Sequence, residues 1–509
     1  MYSKIITAIL QGLNGYAVDV EGHLSNGLPA FNIVGLPDTA IKESKERVRS
    51  AIQNSGFRFP VARITINLSP ANLRKEGSQL DLSIAISILS ASGAIIQSVS
   101  SKTAFIGELA LSGEIVGVPG TLPMAIALEE MGFEYLVLPE DNTEECSGLK
   151  KLKIIPVNHL TQVVQYLNQD IDITPIKNKE CVFSEEIQYN VDFSDIRGQE
   201  TLKRAMEIAA AGHHNILIVG PPGSGKTMAA KRMPTILPAL TFEESMECTK
   251  IYSVGGMLKG LVQTRPFRSP HHTSSAVALI GGGTYPKPGE VSLAHNGILF
   301  LDEFPEFQKQ VIEALRQPIE DREVTISRAN ARFTYPSDFL LVASMNPCRC
   351  GYFGDETHEC KCSASDIQRY LGKISHPILD RIDIHTEVKA VPYDELQAKS
   401  SEGMSSAQMR ARVIAARNVQ RERYKNENIH FNSQLNHTML KKYVPLSSSM
   451  DRILRLAFER YKFSARSLNK ILKLTLTIAD LEENAIIEEK HLLEAIRFRV
   501  GGQKYWIEI

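Results

Sequence analysis

Gly220-Pro-Pro-Gly-Ser-Gly-Lys-Thr227 is the stretch on which the fold of this 509-residue chain turns. It directly follows the apolar run Ile216–Val219 and precedes Met228-Ala-Ala-Lys231, a helix opening. Strand, glycine-rich loop and helix in that order make a P-loop. The loop Gly220, Pro221, Pro222, Gly223, Ser224 and Gly225 offers phosphates its backbone N–H groups and a helix N-terminus. Lys226 reaches the β- and γ-oxygens, and Thr227 presents a hydroxyl to Mg²⁺. The pattern predicts that the chain binds a nucleoside triphosphate.

Bulk properties bound the rest. The length suggests about three domains. With 43% hydrophobic residues, 23% charged residues and a net charge of −1, the composition is that of a globular protein, and bulk electrostatics give no reason to expect nucleic acid. Seven cysteines in so long a chain are no disulfide scaffold, and the odd count points to reduced thiols and a cytoplasmic setting. No apolar run is long enough to span a bilayer, so no membrane partner is expected. The start, Met1-Tyr-Ser-Lys-Ile-Ile, lacks the pattern of a secretory signal.

Downstream of the P-loop, Ile298–Leu301 follows Gly297 and reads as a buried parallel strand ending in Asp302-Glu303. The carboxyl end of such a strand is where an open α/β sheet places its chemistry. Asp302 is suited to hold Mg²⁺, and Glu303 to polarise an attacking water. A second buried strand, Phe339 to Met345, ends in the amide Asn346. Between these strands, Glu320–Arg328 and Ala331–Tyr335 alternate as a hairpin carrying Arg322, Arg328 and Arg332. His271 and His272 lie in a Pro-containing loop without a third ligand at metal spacing, which favours a structural role. Cys348, Cys350, Cys360 and Cys362 fall within fifteen residues. They are either a structural Zn²⁺ site or a group of reduced thiols.

Residues 1–168 read as one α/β domain. Strands are expected at Tyr16–Val20, Ala30–Val34, Ile64–Leu68 and Tyr135–Leu138, and helices at Ala40–Gln53 and Asp81–Ser90. Ala104–Leu111 and Gly113–Val118 read as a hairpin. Residues 169–190 read as a linker, 191–400 as the nucleotide-binding core, and 401–509 as a helical segment. Residues 404–473 hold 15 Lys/Arg against 4 Asp/Glu, a basic surface suited to phosphates or simply to solvent.

Several motifs carry family resemblances. Gly107-Glu-Leu-Ala-Leu-Ser-Gly-Glu114 and Lys75-Glu-Gly-Ser-Gln-Leu-Asp81 make residues 1–168 similar to a Lon-protease-like domain, a fold shared with a small-subunit ribosomal protein. A Ser/Lys protease needs a serine activated by a neutral lysine. Gln79 and Leu122 occupy those two positions here, so an inactive domain is expected. The Gly198-Gln199-Glu200 segment ahead of the P-loop resembles the adenine-side approach of AAA+ ATPases. Arg268-Ser-Pro-His-His-Thr273, the Gly281–Gly289 loop and Ala294-His-Asn-Gly-Ile-Leu-Phe-Leu-Asp-Glu303 resemble the magnesium-chelatase-like branch of that family. With Leu379-Asp-Arg-Ile-Asp383 and Tyr461–Lys473 added, the chain resembles the YifB/ComM family along nearly its whole length.

The resemblance implies an α/β multidomain protein: a Lon-protease-like N-terminal domain, an AAA+ P-loop αβα core and a C-terminal helical lid. It implies ATP and Mg²⁺ as ligands, Asn346 as sensor 1, Arg381 as an arginine finger acting on a neighbouring subunit, and Arg466 as sensor 2. Leu476 stands where relatives carry a second arginine. The family implies a homohexameric DNA motor acting on single-stranded or branched DNA, with recombination proteins as partners. Its helicase activity would promote branch migration in recombination and natural transformation. A magnesium-chelatase ATPase subunit and an ATP-dependent Lon-like protease are the rival expectations.

Overall fold

The computed structural model describes all residues except 177–188, 258–259, 284–285, 329–330, 356–357, 391–403, 502–504 and 506–509, with the backbone alone at Arg328 and Ala331. Most of the expected linker, Cys181 and the expected boundary at 400/401 therefore lie outside the described residues.

The N-terminal part is built on strands β1 (Tyr2–Gln11), β2 (Asn14–Ser25), β3 (Ala30–Val34), β4 (Arg63–Ser69) and β5 (Thr103–Phe105). The short pair β6 (Glu108–Leu109) and β7 (Ile115–Val116) follows, then β8 (Tyr135–Pro139) and β9 (Lys153–Val157). Seven of these form one mixed sheet in the order β3-β4-β2-β1-β5-β8-β9. Helices Thr39–Asn54, Asp81–Ser92 and Leu160–Leu167 pack on one face with Ile5, Ile9, Val18 and Val20. Helix Thr121–Glu130 covers the other with Ala8, Ala104 and Leu136. The expected long hairpin at 104–118 is corrected. Its first arm splits after Phe105, because the chain leaves the sheet at Gly107, where a Cβ would come within 2.9 Å of Ile115.

The second sheet organises the rest. Its strands are β10 (Ile216–Val219), β11 (Phe267–Arg268), β14 (Ile298–Leu301), β17 (Leu340–Met345) and β18 (Ile384–Glu387). Between them come two hairpins, β12 (Gly281–Gly282) with β13 (Lys287–Pro288) and β15 (Glu323–Arg328) with β16 (Ala331–Pro336). The five-stranded order is β11-β14-β17-β10-β18, every pair parallel. A parallel sheet must be covered on both faces, and alternate residues show how. Ile216, Ile218, Phe300 and Val342 face helices Glu200–Gly212, Ser406–Arg423, Ala465–Leu481 and Glu489–Val500 in one apolar core. Leu217, Val219, Leu299 and Leu301 face the opposite core with Phe304, Val311 and Tyr370. The C-terminal helices thus share a core with the parallel sheet.

The expected hairpin of arginines needs one correction. Arg322 precedes β15 with φ +57 and donates to Asp338 at 3.2 Å, so it belongs to the hairpin's base. Arg332 is exposed on β16. The turn between β1 and β2 rests on this hairpin, Gly12 lying against Phe333. No helix among the described residues is long and apolar enough to cross a membrane.

Candidate active site

Strand β10, between β17 and the edge strand β18, delivers the P-loop. Its four residues are fully buried between β17 and β18, so the loop starts from a fixed point at the carboxyl edge of the sheet. Gly220 is required by space, since a Cβ there would lie 2.4 Å from the Val388 carbonyl oxygen. Gly225, with φ +90, caps helix Lys226–Arg232 in the left-handed region that glycine tolerates. The helix starts two residues earlier than the sequence suggests, placing Lys226 and Thr227 on its first turn, where backbone N–H groups favour anions.

The side chains behind the loop form one polar network. Lys226 Nζ donates to the Gly220 and Pro221 carbonyls at 2.8 and 2.7 Å and to Asn346 Oδ1 at 3.1 Å. Burial pushes its ammonium down to about 8, against the attraction of Asp302. The Thr227 hydroxyl donates to Asp302 Oδ2 at 2.7 Å. The Ser344 hydroxyl donates to Asp302 Oδ1, to which the Glu303 backbone N–H also donates at 3.0 Å. A carboxylate so supplied is held in one orientation beside a hydroxyl, a hard-oxygen pair suited to Mg²⁺. Glu303, with φ +51, leaves the sheet and keeps its carboxylate exposed, 3.4 Å from His272 Nδ1. Gln199 donates to the Ser224 and Lys389 carbonyls at 3.4 and 2.7 Å, tying the segment ahead of the sheet to the loop.

Two of these partners were not anticipated. Ser344 is the one hydroxyl in the buried strand Leu340–Met345, a signal the sequence did carry. His272 had no such signal, because its loop folds onto Glu303 from far along the chain. Among the described residues, neither histidine of the pair belongs to a metal-ligand cluster.

Arg381 and Arg466 lie elsewhere. Arg381 just precedes β18, whose Ile384 is level with Ile216 at the start of β10. A four-residue strand, roughly 13 Å long, therefore separates Arg381 from the P-loop of its own chain. Arg381 pairs with Glu320 at 2.7 Å and donates to the Pro377 carbonyl, and Arg466 stands 3.6 Å from the other Glu320 oxygen. Both line a cleft of about 500 Å³ with Arg322, Lys470 and Lys473. In its wall, Asp383 holds Lys470 at 2.6 Å and accepts from the Asn215 N–H. Burial opposes the charge on Asp383, yet Lys470 and His214 keep its carboxylate well below the usual range.

In the N-terminal domain, Leu122 is buried and Gln79 donates to the Glu76 carbonyl. Lys75 is buried and donates to the Pro70 carbonyl, while Ser78 donates to Glu108. The four cysteine sulfurs, Cys348, Cys350, Cys360 and Cys362, come together within 4.8 Å of one another.

The family model described as magnesium chelatase, subunit ChlI matches residues 192–396, its companion for subunit ChlI of Mg-chelatase matches 20–142, and the ChlI C-terminal model matches 403–499. The competence protein ComM of Haemophilus influenzae is 42% identical over 499 residues, covering 96% of this chain and 95% of its own. YifB of Salmonella typhimurium is 41% identical over 96% of this chain and 95% of its own. Lon protease 2 of Bacillus subtilis is 28% identical over 148 residues, 27% of this chain and 26% of its own.

Proposed function

Since the chain belongs to the ComM/YifB family of magnesium-chelatase-like AAA+ proteins, we propose that it is a hexameric, ATP-driven DNA motor of the cytoplasm. The observation that carries this reading is the division of its polar machinery. Lys226, Thr227, Asp302 and Asn346 form one network at the carboxyl edge of the sheet. Arg381 and Arg466 stand together at the opposite edge. Phosphoryl transfer needs cations around the transferred group. One chain supplies only half of them to its own P-loop, so a ring of like subunits supplies the rest.

The network supports the following division of work within a subunit. The first turn of helix Lys226–Arg232 and the Lys226 ammonium bind and orient the triphosphate. Thr227 and Asp302 would hold Mg²⁺, which when bound draws charge from the phosphate oxygens. Glu303 takes the proton of the attacking water, and Asn346, bonded to Lys226, orients that water. Arg381 and Arg466 of the adjacent subunit stabilise charge on the γ-phosphoryl group as it departs.

The DNA half of the proposal is supported by the near full-length likeness to a competence protein and by the β15–β16 hairpin, with Arg332 exposed. Hydrolysis moves that hairpin along single-stranded or branched DNA. Branch migration during recombination and natural transformation is the work this serves, alongside recombination proteins.

The chelatase reading is favoured by the three ChlI family models; the same experiment separates it. ATP hydrolysis is measured alone, with single-stranded DNA and with forked DNA, beside strand displacement and casein degradation. The motor predicts stimulation by DNA, displacement of a strand and intact casein. A rate indifferent to every DNA contradicts it, and casein cleavage would establish the protease instead.

A further inference from the structure

Residues 347–363 join β17 to helix Ala364–Leu371 with neither helix nor strand among the described positions. Irregular segments longer than about 12–15 residues need support of their own. Beside the packing of Phe353 and the stacking of Tyr352 on His358, the support here is sulfur. Cys348 is buried in the same apolar cluster as Ile367, Tyr370 and Leu371, and Cys350, Cys360 and Cys362 pack against that cluster. The Cys348 sulfur lies 3.3 Å from Cys350 and 3.7 Å from Cys360, and Cys350 lies 3.6 Å from Cys360. These separations are too long for a disulfide. They approach the roughly 3.8 Å edge of a tetrahedron whose corners sit about 2.3 Å from a central Zn²⁺. Exposed Arg349 and Lys361, each between a pair of the cysteines, place positive charge beside the four sulfurs.

The cluster also touches the P-loop. Gly351, with φ +92, follows Cys350 directly, and a Cβ on it would lie 2.5 Å from Pro222 Cδ. Asn346, two residues before Cys348, bonds Lys226. The turn carrying the first two sulfurs thus lies against the P-loop and directly follows the amide that bonds Lys226.

We propose that Cys348, Cys350, Cys360 and Cys362 bind one structural Zn²⁺ as a closed tetrathiolate, and that this centre fixes the P-loop through the contact of Gly351 with Pro222. All four ligand positions are protein sulfurs, so the metal has no open position for catalysis. The second half of the proposal rests on the ATPase reading, whereas the first does not.

The test begins with metal content, which is independent of any activity. Full-length protein purified under reducing conditions should carry about one zinc per chain. Replacement by Co²⁺ should give the intense absorption of a tetrahedral thiolate complex, and Cys360→Ser and Cys362→Ser should each lose it. A chain without zinc, giving no cobalt–thiolate bands, overturns the site, as does a mass showing a disulfide among these cysteines. Because a cysteine variant can misfold, the coupling is read from Gly351→Ala. It should keep its zinc yet bind nucleotide about tenfold more weakly, in the range that support around a metal site commands. Unchanged nucleotide affinity in zinc-loaded Gly351→Ala would overturn the coupling.

Discussion

At Lys226, burial works against charge, leaving the ammonium at about 8. A polyphosphate favours the charged form, so nucleotide binding takes up a proton wherever the free enzyme has lost it. Affinity for ATP should therefore weaken as pH rises through about 8, and Lys226→Arg should flatten the dependence. Nucleotide titrations from about one unit below that value to one unit above it check the sign. Glu303→Gln should bind ATP as tightly as the parent but turn it over about a hundredfold more slowly or worse. Normal turnover would remove Glu303 from the chemistry. Much of this site was legible in the sequence, because the P-loop, Asp302-Glu303 and Asn346 each end a buried apolar strand. Glu320, which joins Arg381 to Arg466, was not legible. Its partners lie some sixty and some hundred and fifty residues away, and nothing local marks a glutamate as a bridge.

Among the elements, β18 is preceded by a buried ion pair that adds to its ladder. Asp383 meets Lys470, whose ammonium burial pushes down to about 8, and also the Asn215 N–H. Asp383→Ala strands a buried cation and should cost about 3 kcal/mol, read as a lower midpoint in urea. Adding Lys470→Met should recover part of the loss; no recovery would show that Asp383 acts through Asn215 instead. Strand legibility followed the same physics. Ile298–Leu301 is fully buried and announces itself as an apolar run. β1 does not, since two of its inward positions are Ser3 and Thr7, hydroxyls that break the alternation. The split of the expected 104–118 hairpin at Gly107 depends on Ile115 packing close to it, a contact that composition cannot announce.

For the whole molecule, the length of one parallel strand is decisive. Roughly 13 Å of sheet separates the phosphate loop from Arg381, so the proposed mechanism requires that cation to come from a neighbour. The C-terminal helices carry Arg466 to the same edge because they share the apolar core of the sheet. Subunit mixing tests this most directly. Lys226→Ala and Arg381→Ala are each expected to be inactive alone, the first lacking its phosphate cation and the second the finger it lends. Mixed, they form interfaces in which an intact P-loop meets an intact arginine, and ATP hydrolysis should return, greatest near equal proportions. Absence of hydrolysis at every mixing ratio, with the mixed rings shown to form, would contradict the shared site.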